Sequence, residues 1–191
     1  MKDDRYEIRL SGSGGQGLIL AGIILAEAAS ILEGKNAVQT QSYGPESRGG
    51  ASKSEVVISS EEIDYPKVTR PDLLLAMTQE ACDRYCGDLK EGGVAILDTS
   101  NVQRMPRRGT KSSTDGKHYG IPITAIAKEK VGKAITANIV ALGVIAAVSK
   151  IVSRESIEKA ILRRVPRGTE EINKHALEVG FEAGEKALKG K

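Results

Sequence analysis

One segment near the start of the chain constrains the fold more than any other. Residues 5–11 place apolar side chains at every second position, as in a half-buried strand. Residues 12–17 then read Gly-Ser-Gly-Gly-Gln-Gly, and residues 18–32 are strong helix formers that are apolar nearly all round. This strand–turn–helix order predicts the first unit of an α/β domain, with a buried helix that ends at Gly34.

The remaining pattern alternates strands with helices over the first two thirds of the chain and is helical toward its end. This order predicts one domain over residues 1–191, a three-layer α/β/α fold with a mostly parallel or mixed sheet and a C-terminal helical cover. The further predicted strands are 37–41, 52–59, 73–77, 94–98 and 118–123, the further predicted helices are 79–89, 124–131, 138–152, 154–164 and 169–188, and a long basic loop is predicted at 101–117.

Composition excludes several classes of protein. The chain has 191 residues, 40% of them hydrophobic, and its net charge of +3 is too small to indicate a nucleic-acid partner. Basic residues cluster at 104–108 and 163–167, where a solvated surface and an anionic partner are both open readings. The start of the chain is not expected to be a signal peptide, and the longest apolar stretch, 139–148, is too short to span a membrane, which takes about 20 residues. A cytoplasmic protein without a membrane partner is expected.

The candidate metal ligands and nucleophiles are few. Cys82 and Cys86 lie on one face of a predicted helix, but zinc and iron–sulfur sites need more ligands, so both are predicted to be small core residues. Asp98 at a strand end is expected to cap a turn, with ligand binding as the alternative. His175 is expected on the surface, whereas a functional role for His118 is left open. No catalytic residue and no metal ligand is predicted in this chain.

The glycine-rich loop is the first candidate binding site. Glycines allow positive φ angles and let a ligand approach the backbone, while the following helix directs its N-terminal N–H groups at an anion. A dinucleotide site also needs an acidic residue at the end of the second strand, and residues 39–41 read Gln-Thr-Gln instead. This departure disfavours NAD or FAD and leaves another phosphate-bearing ligand or a purely structural turn. The candidate residues are Gly12, Ser13, Gly14, Gly15, Gln16 and Gly17.

A second candidate loop, residues 41–51, follows the second predicted strand on the same side of the sheet. Arg48 beside two glycines combines a bidentate anion donor with accessible backbone N–H groups. A hydrogen-bonded surface turn is the alternative. Lys53 either adds a second positive charge or turns to solvent. The candidate residues of this loop are Ser47, Arg48, Gly49 and Gly50.

Taken together, the two loops resemble the gamma subunits of 2-oxoacid:ferredoxin oxidoreductases. The same resemblance extends to residues 64–66 (Asp-Tyr-Pro), 70–72 (Arg-Pro-Asp) and 77–81 (Met-Thr-Gln-Glu-Ala), and it covers nearly the whole chain. The form Tyr-Gly-Pro-Glu-Ser-Arg-Gly-Gly at 43–50 is most similar to the 2-oxoglutarate branch, with the branched-chain 2-oxoacid branch next.

The resemblance implies a role in a larger enzyme. Such enzymes decarboxylate a 2-oxoacid on thiamine diphosphate, pass electrons through iron–sulfur clusters to ferredoxin and release an acyl-CoA; for 2-oxoglutarate the product is succinyl-CoA. Thiamine diphosphate, Mg and the [4Fe-4S] clusters are then expected on alpha and beta partner subunits, with a delta subunit as a further partner left open. The fold is expected to resemble domain III of pyruvate:ferredoxin oxidoreductase. Both loops would contact the phosphates of CoA, as co-substrate at a shared site, or close over the thiamine site, and the chain alone would be inactive.

Two readings of other classes stay open beside this one. A stand-alone nucleotide-binding module or dehydrogenase would bind its ligand without partner subunits. An assembly or scaffold protein would carry the same loops without any ligand. A homodimer is one state open to the isolated chain, and pyruvate is a further alternative substrate for the assembled enzyme.

Overall fold

A computed structural model describes residues 4–42, 51–104 and 117–190. The strands are β1 Tyr6–Ser13, β2 Asn36–Ser42, β3 Ala51–Ser59, β4 Leu73–Ala76, β5 Val94–Asp98 and β6 Lys117–Ile121. The α-helices are α1 Leu18–Glu27, α2 Gln79–Tyr85, α3 Ile123–Ile126, α4 Ala137–Ser149, α5 Arg154–Arg164 and α6 Glu170–Lys189. Two π-helical segments, Ala28–Leu32 and Ala127–Val131, and two 3₁₀ turns, Cys86–Asp88 and Ala134–Thr136, adjoin them.

The six strands form one mixed sheet in the order β2-β3-β1-β4-β5-β6. Strands β1, β4, β5 and β6 are parallel, whereas β3 is antiparallel to both β1 and β2. Two reversals make β2 parallel to β1, so the carboxyl ends of β1 and β2 lie at the same edge of the sheet. The predicted α/β fold with a mixed sheet is confirmed.

Helices cover both faces of the sheet. Alternate residues of β1, β3 and β4 pack with α1 and with α3 to α6 in the larger apolar cluster. The opposite face packs mainly on α2, in a smaller cluster that contains both cysteines. Both thiols are buried, as predicted, with their Sγ atoms 3.3 Å apart. The described residues contain no helix long and apolar enough to cross a membrane.

The tightest helix pair is α4 on α6, which approach each other through glycines. A Cβ atom built on Gly180 would lie 2.1 Å from the Val140 carbonyl oxygen, and one on Gly143 would lie 2.3 Å from the Leu177 oxygen. Only hydrogen fits at such positions, so the two backbones are in direct contact. Because α4 is buried along almost its whole length, this contact fixes α4 within the core.

The first helix departs from the predicted single element. It is α-helical to Glu27 and continues as a π-helix to Leu32. Gly34 ends it as predicted, with a φ of 70°, while the Lys35 N–H reaches back to the Ala29 oxygen at 3.0 Å. This bond satisfies a carbonyl group that the helix end would leave unpaired.

Candidate ligand site at the glycine loop

The glycine loop joins the carboxyl end of β1 to the N-terminus of α1. Gly15 and Gly17 have φ angles of 87° and 71°, which side chains rarely tolerate. The Gln16 side chain closes the turn, because its Oε1 atom accepts the Ser13 N–H at 2.8 Å. These residues therefore form one compact turn, and the structure brings all six predicted positions of this loop together.

The glycines of the loop have different surroundings. A Cβ on Gly12 would lie 2.1 Å from Gln16 Oε1 and 3.0 Å from the Met77 Cβ, so this glycine is required for packing. Gly14 and Gly15 are exposed, and a Cβ on either would meet nothing within 4 Å. Their backbone is therefore accessible to a ligand from outside the chain.

The N-terminus of α1 lies at this opening without a side-chain cap. Gly17 is the N-cap residue and makes no side-chain cap hydrogen bond, and the first turn has no acidic residue. Such a terminus carries partial positive charge and unpaired N–H groups, which favour an anion. The geometry can bind a phosphate or carboxylate group through the backbone.

Asn138 is a contact of this loop that sequence reasoning missed. Its Nδ2 atom donates to the Gly17 oxygen at 3.2 Å, and a Cβ on Gly17 would lie only 2.5 Å from that nitrogen. The partners are 121 residues apart, so no local pattern joins them. The one available signal is a polar residue in the otherwise apolar start of α4.

The second loop can be located only by its ends. Ser47, Arg48, Gly49 and Gly50 lie outside the described residues. The strands on either side are paired, with Ser42 opposite Lys53 and the Ala51 backbone opposite Ser13. The chain therefore enters and leaves the second loop at the sheet edge where the glycine loop begins.

Lys53 is engaged within the chain. Its Nζ atom is 3.0 Å from Glu55 Oε1, and Glu55 also accepts from Arg9 Nε at 2.7 Å. The Arg9 guanidinium lies 5.2 Å from the centre of the Tyr85 ring and contacts Asp88 as well. Arg9 is buried, so this network compensates a guanidinium charge that is shielded from water.

One of the two basic clusters is partly paired within the chain. Arg164 Nε is 2.7 Å from Glu27 Oε2, and Arg163 lies 3.7 Å from the other oxygen of the same carboxylate. Glu27 is buried on α1. The pairing attaches the end of α5 to α1, which accounts for two of the basic residues at 163–167 without an anionic partner.

The remaining candidate groups have structural partners or lie away from the loop. Asp98 is fully buried and accepts hydrogen bonds from the Ser100 and Thr124 N–H groups, which agrees with the predicted turn. His175 is exposed, as expected, and His118 lies on β6, two strands beyond the neighbour of β1. The described residues contain no group of three or more side chains that could hold a metal ion.

The two cysteines shift each other's pKa in opposite directions. The hydrogen bond with Cys82 and burial both raise the pKa of Cys86, so that this group remains a neutral thiol. The same hydrogen bond lowers the pKa of Cys82. Elsewhere, burial raises the pKa of Tyr6 to about 12. None of these groups contacts the glycine loop.

The chain is similar to known proteins over most of its length. Residues 7–183 match the family model described as pyruvate ferredoxin/flavodoxin oxidoreductase. The 2-oxoglutarate synthase subunit KorC of Methanocaldococcus jannaschii is 56% identical over 93% of both chains. The ketoisovalerate oxidoreductase subunit VorA of Methanothermobacter marburgensis is 34% identical over 96% of this chain and 37% of its own length.

A solved structure agrees with the fold. The gamma subunit of a keto/oxoacid ferredoxin oxidoreductase from Geobacter sulfurreducens superposes with a TM-score of 0.86 and 54% identity, covering 96% of this chain and 98% of that one. The resemblance to the gamma subunits of 2-oxoacid:ferredoxin oxidoreductases is therefore confirmed.

Proposed function

Because this chain belongs to the pyruvate ferredoxin/flavodoxin oxidoreductase family, we propose that it is the gamma subunit of an enzyme that acts on 2-oxoglutarate. The assembled enzyme would convert 2-oxoglutarate and CoA to succinyl-CoA and CO₂ with ferredoxin as electron acceptor, or run the reverse reductive carboxylation. The identity of 56% to a 2-oxoglutarate synthase subunit, against 34% to a ketoisovalerate oxidoreductase subunit, favours this substrate over branched-chain 2-oxoacids.

The contribution of this chain is to bind CoA phosphate groups. The observation that carries the proposal is the uncapped N-terminus of α1 beside the exposed backbone of Gly14 and Gly15. Backbone N–H groups there would hold a phosphate without a charged side chain. Arg48, with Ser47 and the glycines that follow, would add a charge-assisted contact from the second loop. Both loops would thus form one side of a shared site.

The reacting groups are assigned to partner subunits. Thiamine diphosphate, its Mg ion and the [4Fe-4S] clusters would reside on alpha and beta subunits, with or without a delta subunit. When bound there, thiamine diphosphate supplies the carbanion chemistry of decarboxylation. This chain would orient CoA and help to close the site against water, with ferredoxin reached through the complex. No residue of this chain is proposed to be catalytic.

A stand-alone dinucleotide-binding module fits the geometry less well. In dinucleotide-binding folds the acidic residue that holds the ribose lies at the end of the strand beside β1. Here antiparallel β3 separates β2 from β1, and β2 ends in Gln41 and Ser42 without a carboxylate. The Gln39 side chain is also engaged, since its Nε2 atom donates to Ser54 Oγ at 2.9 Å.

A charge change at Gly14 tests the proposed CoA site. Gly14 has open space at its Cβ position, so Gly14→Asp and its isosteric control Gly14→Asn should both fold. A carboxylate about 6 Å from a phosphate at an effective dielectric of about 20 costs about 2–3 kcal/mol before salt screening. In the reconstituted complex, Gly14→Asp should therefore raise the KM for CoA at least tenfold over Gly14→Asn. The KM for 2-oxoglutarate should not change.

The same assay tests Arg48. A lost charge-assisted hydrogen bond of about 1.5–3 kcal/mol predicts that Arg48→Ala raises the KM for CoA about 10- to 100-fold. The proposed site would be rejected if the two Gly14 variants had equal KM values for CoA and Arg48→Ala had the wild-type value. Titration of the isolated chain with NAD, FAD and CoA addresses the alternative, because tight NAD binding would contradict the gamma-subunit assignment.

A further inference from the structure

The Gly17 carbonyl group receives two hydrogen bonds from different parts of the fold. The Ala21 N–H donates to it at 3.0 Å as the first bond of α1. Asn138 Nδ2 donates to it at 3.2 Å from the first turn of α4. A carbonyl oxygen has two lone pairs, so both are used within the chain.

These two hydrogen bonds set the direction of the neighbouring N–H group. The peptide between Gly17 and Leu18 is planar, and in a trans peptide the C=O and N–H bonds point in opposite directions. With the oxygen held toward Ala21 and Asn138, the Leu18 N–H points away from both, out of the N-terminal end of α1 that the glycine loop precedes.

We infer that Asn138 is a positioning residue for CoA binding, which holds the Gly17–Leu18 peptide so that its N–H faces a CoA phosphate. The inference rests on the proposed function. Asn138 does not itself touch the ligand; it acts through the Gly17 carbonyl group. Its own position is fixed because α4 is packed directly on α6 through the backbone contacts of Gly143 and Gly180.

The chemistry of the asparagine side chain suits this role. Asn138 is buried, and its Oδ1 atom accepts the Ile139 N–H at 3.0 Å, which turns the Nδ2 atom toward the loop. Aspartate has the same shape but offers no donor when ionised, and leucine has the same branching at Cγ without any polar atom. The close approach of Asn138 also excludes a side chain at Gly17, whose Cβ would lie 2.5 Å from Nδ2.

Asn173 provides a matched control. It is also buried, and its Nδ2 atom donates at 2.8 Å to the carbonyl of Thr169, the N-cap residue of α6. Asn138 and Asn173 thus each donate to the N-cap carbonyl of a helix, Asn138 from another helix and Asn173 from within its own, where it also donates to Thr169 Oγ1 at 3.1 Å. Only the bond of Asn138 is made to the glycine loop. If both asparagines were purely structural, replacing either one would leave the KM for CoA unchanged.

The test measures steady-state kinetics of the complete reconstituted complex with Asn138→Leu and Asn173→Leu. We expect Asn138→Leu to raise the KM for CoA about two- to tenfold, the range that one hydrogen bond contributes. The kcat at saturating CoA and the KM for 2-oxoglutarate should stay within twofold. Asn173→Leu should leave the KM for CoA unchanged. It should lower the melting temperature about as much as Asn138→Leu does.

Three results would overturn the inference in distinguishable ways. Equal CoA constants for Asn138→Leu and Asn173→Leu, with Gly14→Asp still defective, would reject the role of Asn138 and leave the proposed function intact. Unchanged CoA binding in Gly14→Asp would reject the proposed site and the inference together. If Asn138→Leu does not assemble, Asn138→Asp serves the same test, and recovery of wild-type CoA affinity in that variant would equally reject the donor role.

Discussion

The contact between α4 and α6 predicts a large effect for the smallest possible substitution, Gly180→Ala. The new Cβ would lie 2.1 Å from the Val140 oxygen, whereas ordinary contact begins near 3.4 Å. The blocking atoms belong to the backbone, so the helices would have to separate by about 1 Å. Overpacking of this kind costs about 3 kcal/mol, and the better helix propensity of alanine returns about 1 kcal/mol. The net loss of stability should be about 2 kcal/mol.

Urea unfolding of the isolated chain, followed by circular dichroism, measures this loss as a lower midpoint at unchanged slope. Gly184→Ala should be milder, because its close approaches are longer: 2.7 Å to the Ala147 Cβ and 3.1 Å to the nearest backbone atom. Gly87→Ala is the control: its Cβ would meet nothing within 4 Å. A midpoint for Gly180→Ala equal to that of Gly87→Ala would refute the direct backbone contact.

Three further predictions concern buried or paired charges. Arg9→Met leaves the Glu55 carboxylate, only 10% exposed, without its main partner and should cost about 3 kcal/mol in urea unfolding. Burial raises the pKa of Glu33, but the Ser153 N–H and other hydrogen-bond donors outweigh this and hold it below its usual 4.5. Stability from this carboxylate is thus present above pH 4.5 and lost as the pH falls through the lowered value, so Glu33→Gln should flatten that acid-side loss in thermal melts. Asp98→Ala removes a buried acceptor of several hydrogen bonds and should lower the free energy of unfolding by about 2 kcal/mol. Asp98→Asn should recover part of this loss. An unchanged urea midpoint in Asp98→Ala would contradict the buried turn.

Elements with strong local patterns were predictable from the sequence. The buried strand Val94–Asp98 has the predicted bounds, and α5 begins and ends where the pattern indicates. The predicted helix 138–152 ends earlier, at Ser149, because Lys150 takes a left-handed φ of 55°. Left-handed lysine is uncommon, and no local signal announces it.

Non-local features were not predictable in the same way. The six glycine-loop positions follow from one local motif, but their distinct roles depend on which atoms lie opposite each glycine. Gly12 packs against the residue after β4, and Gly17 packs against α4. The insertion of antiparallel β3 beside β1 is likewise a pairing choice between distant segments. The second loop remains a prediction from chemistry and resemblance.

The bond between Asn138 and Gly17 also bears on when the site forms during synthesis. The loop is made early, but its partner emerges 121 residues later, and the helix that fixes this partner, α6, follows later still. A ribosome adding about 5–20 residues per second therefore releases the loop many seconds before it reaches its final geometry. Subunits that assemble before that point would contact a loop whose N–H groups are not yet oriented, so the order of translation favours docking after α6 has been made.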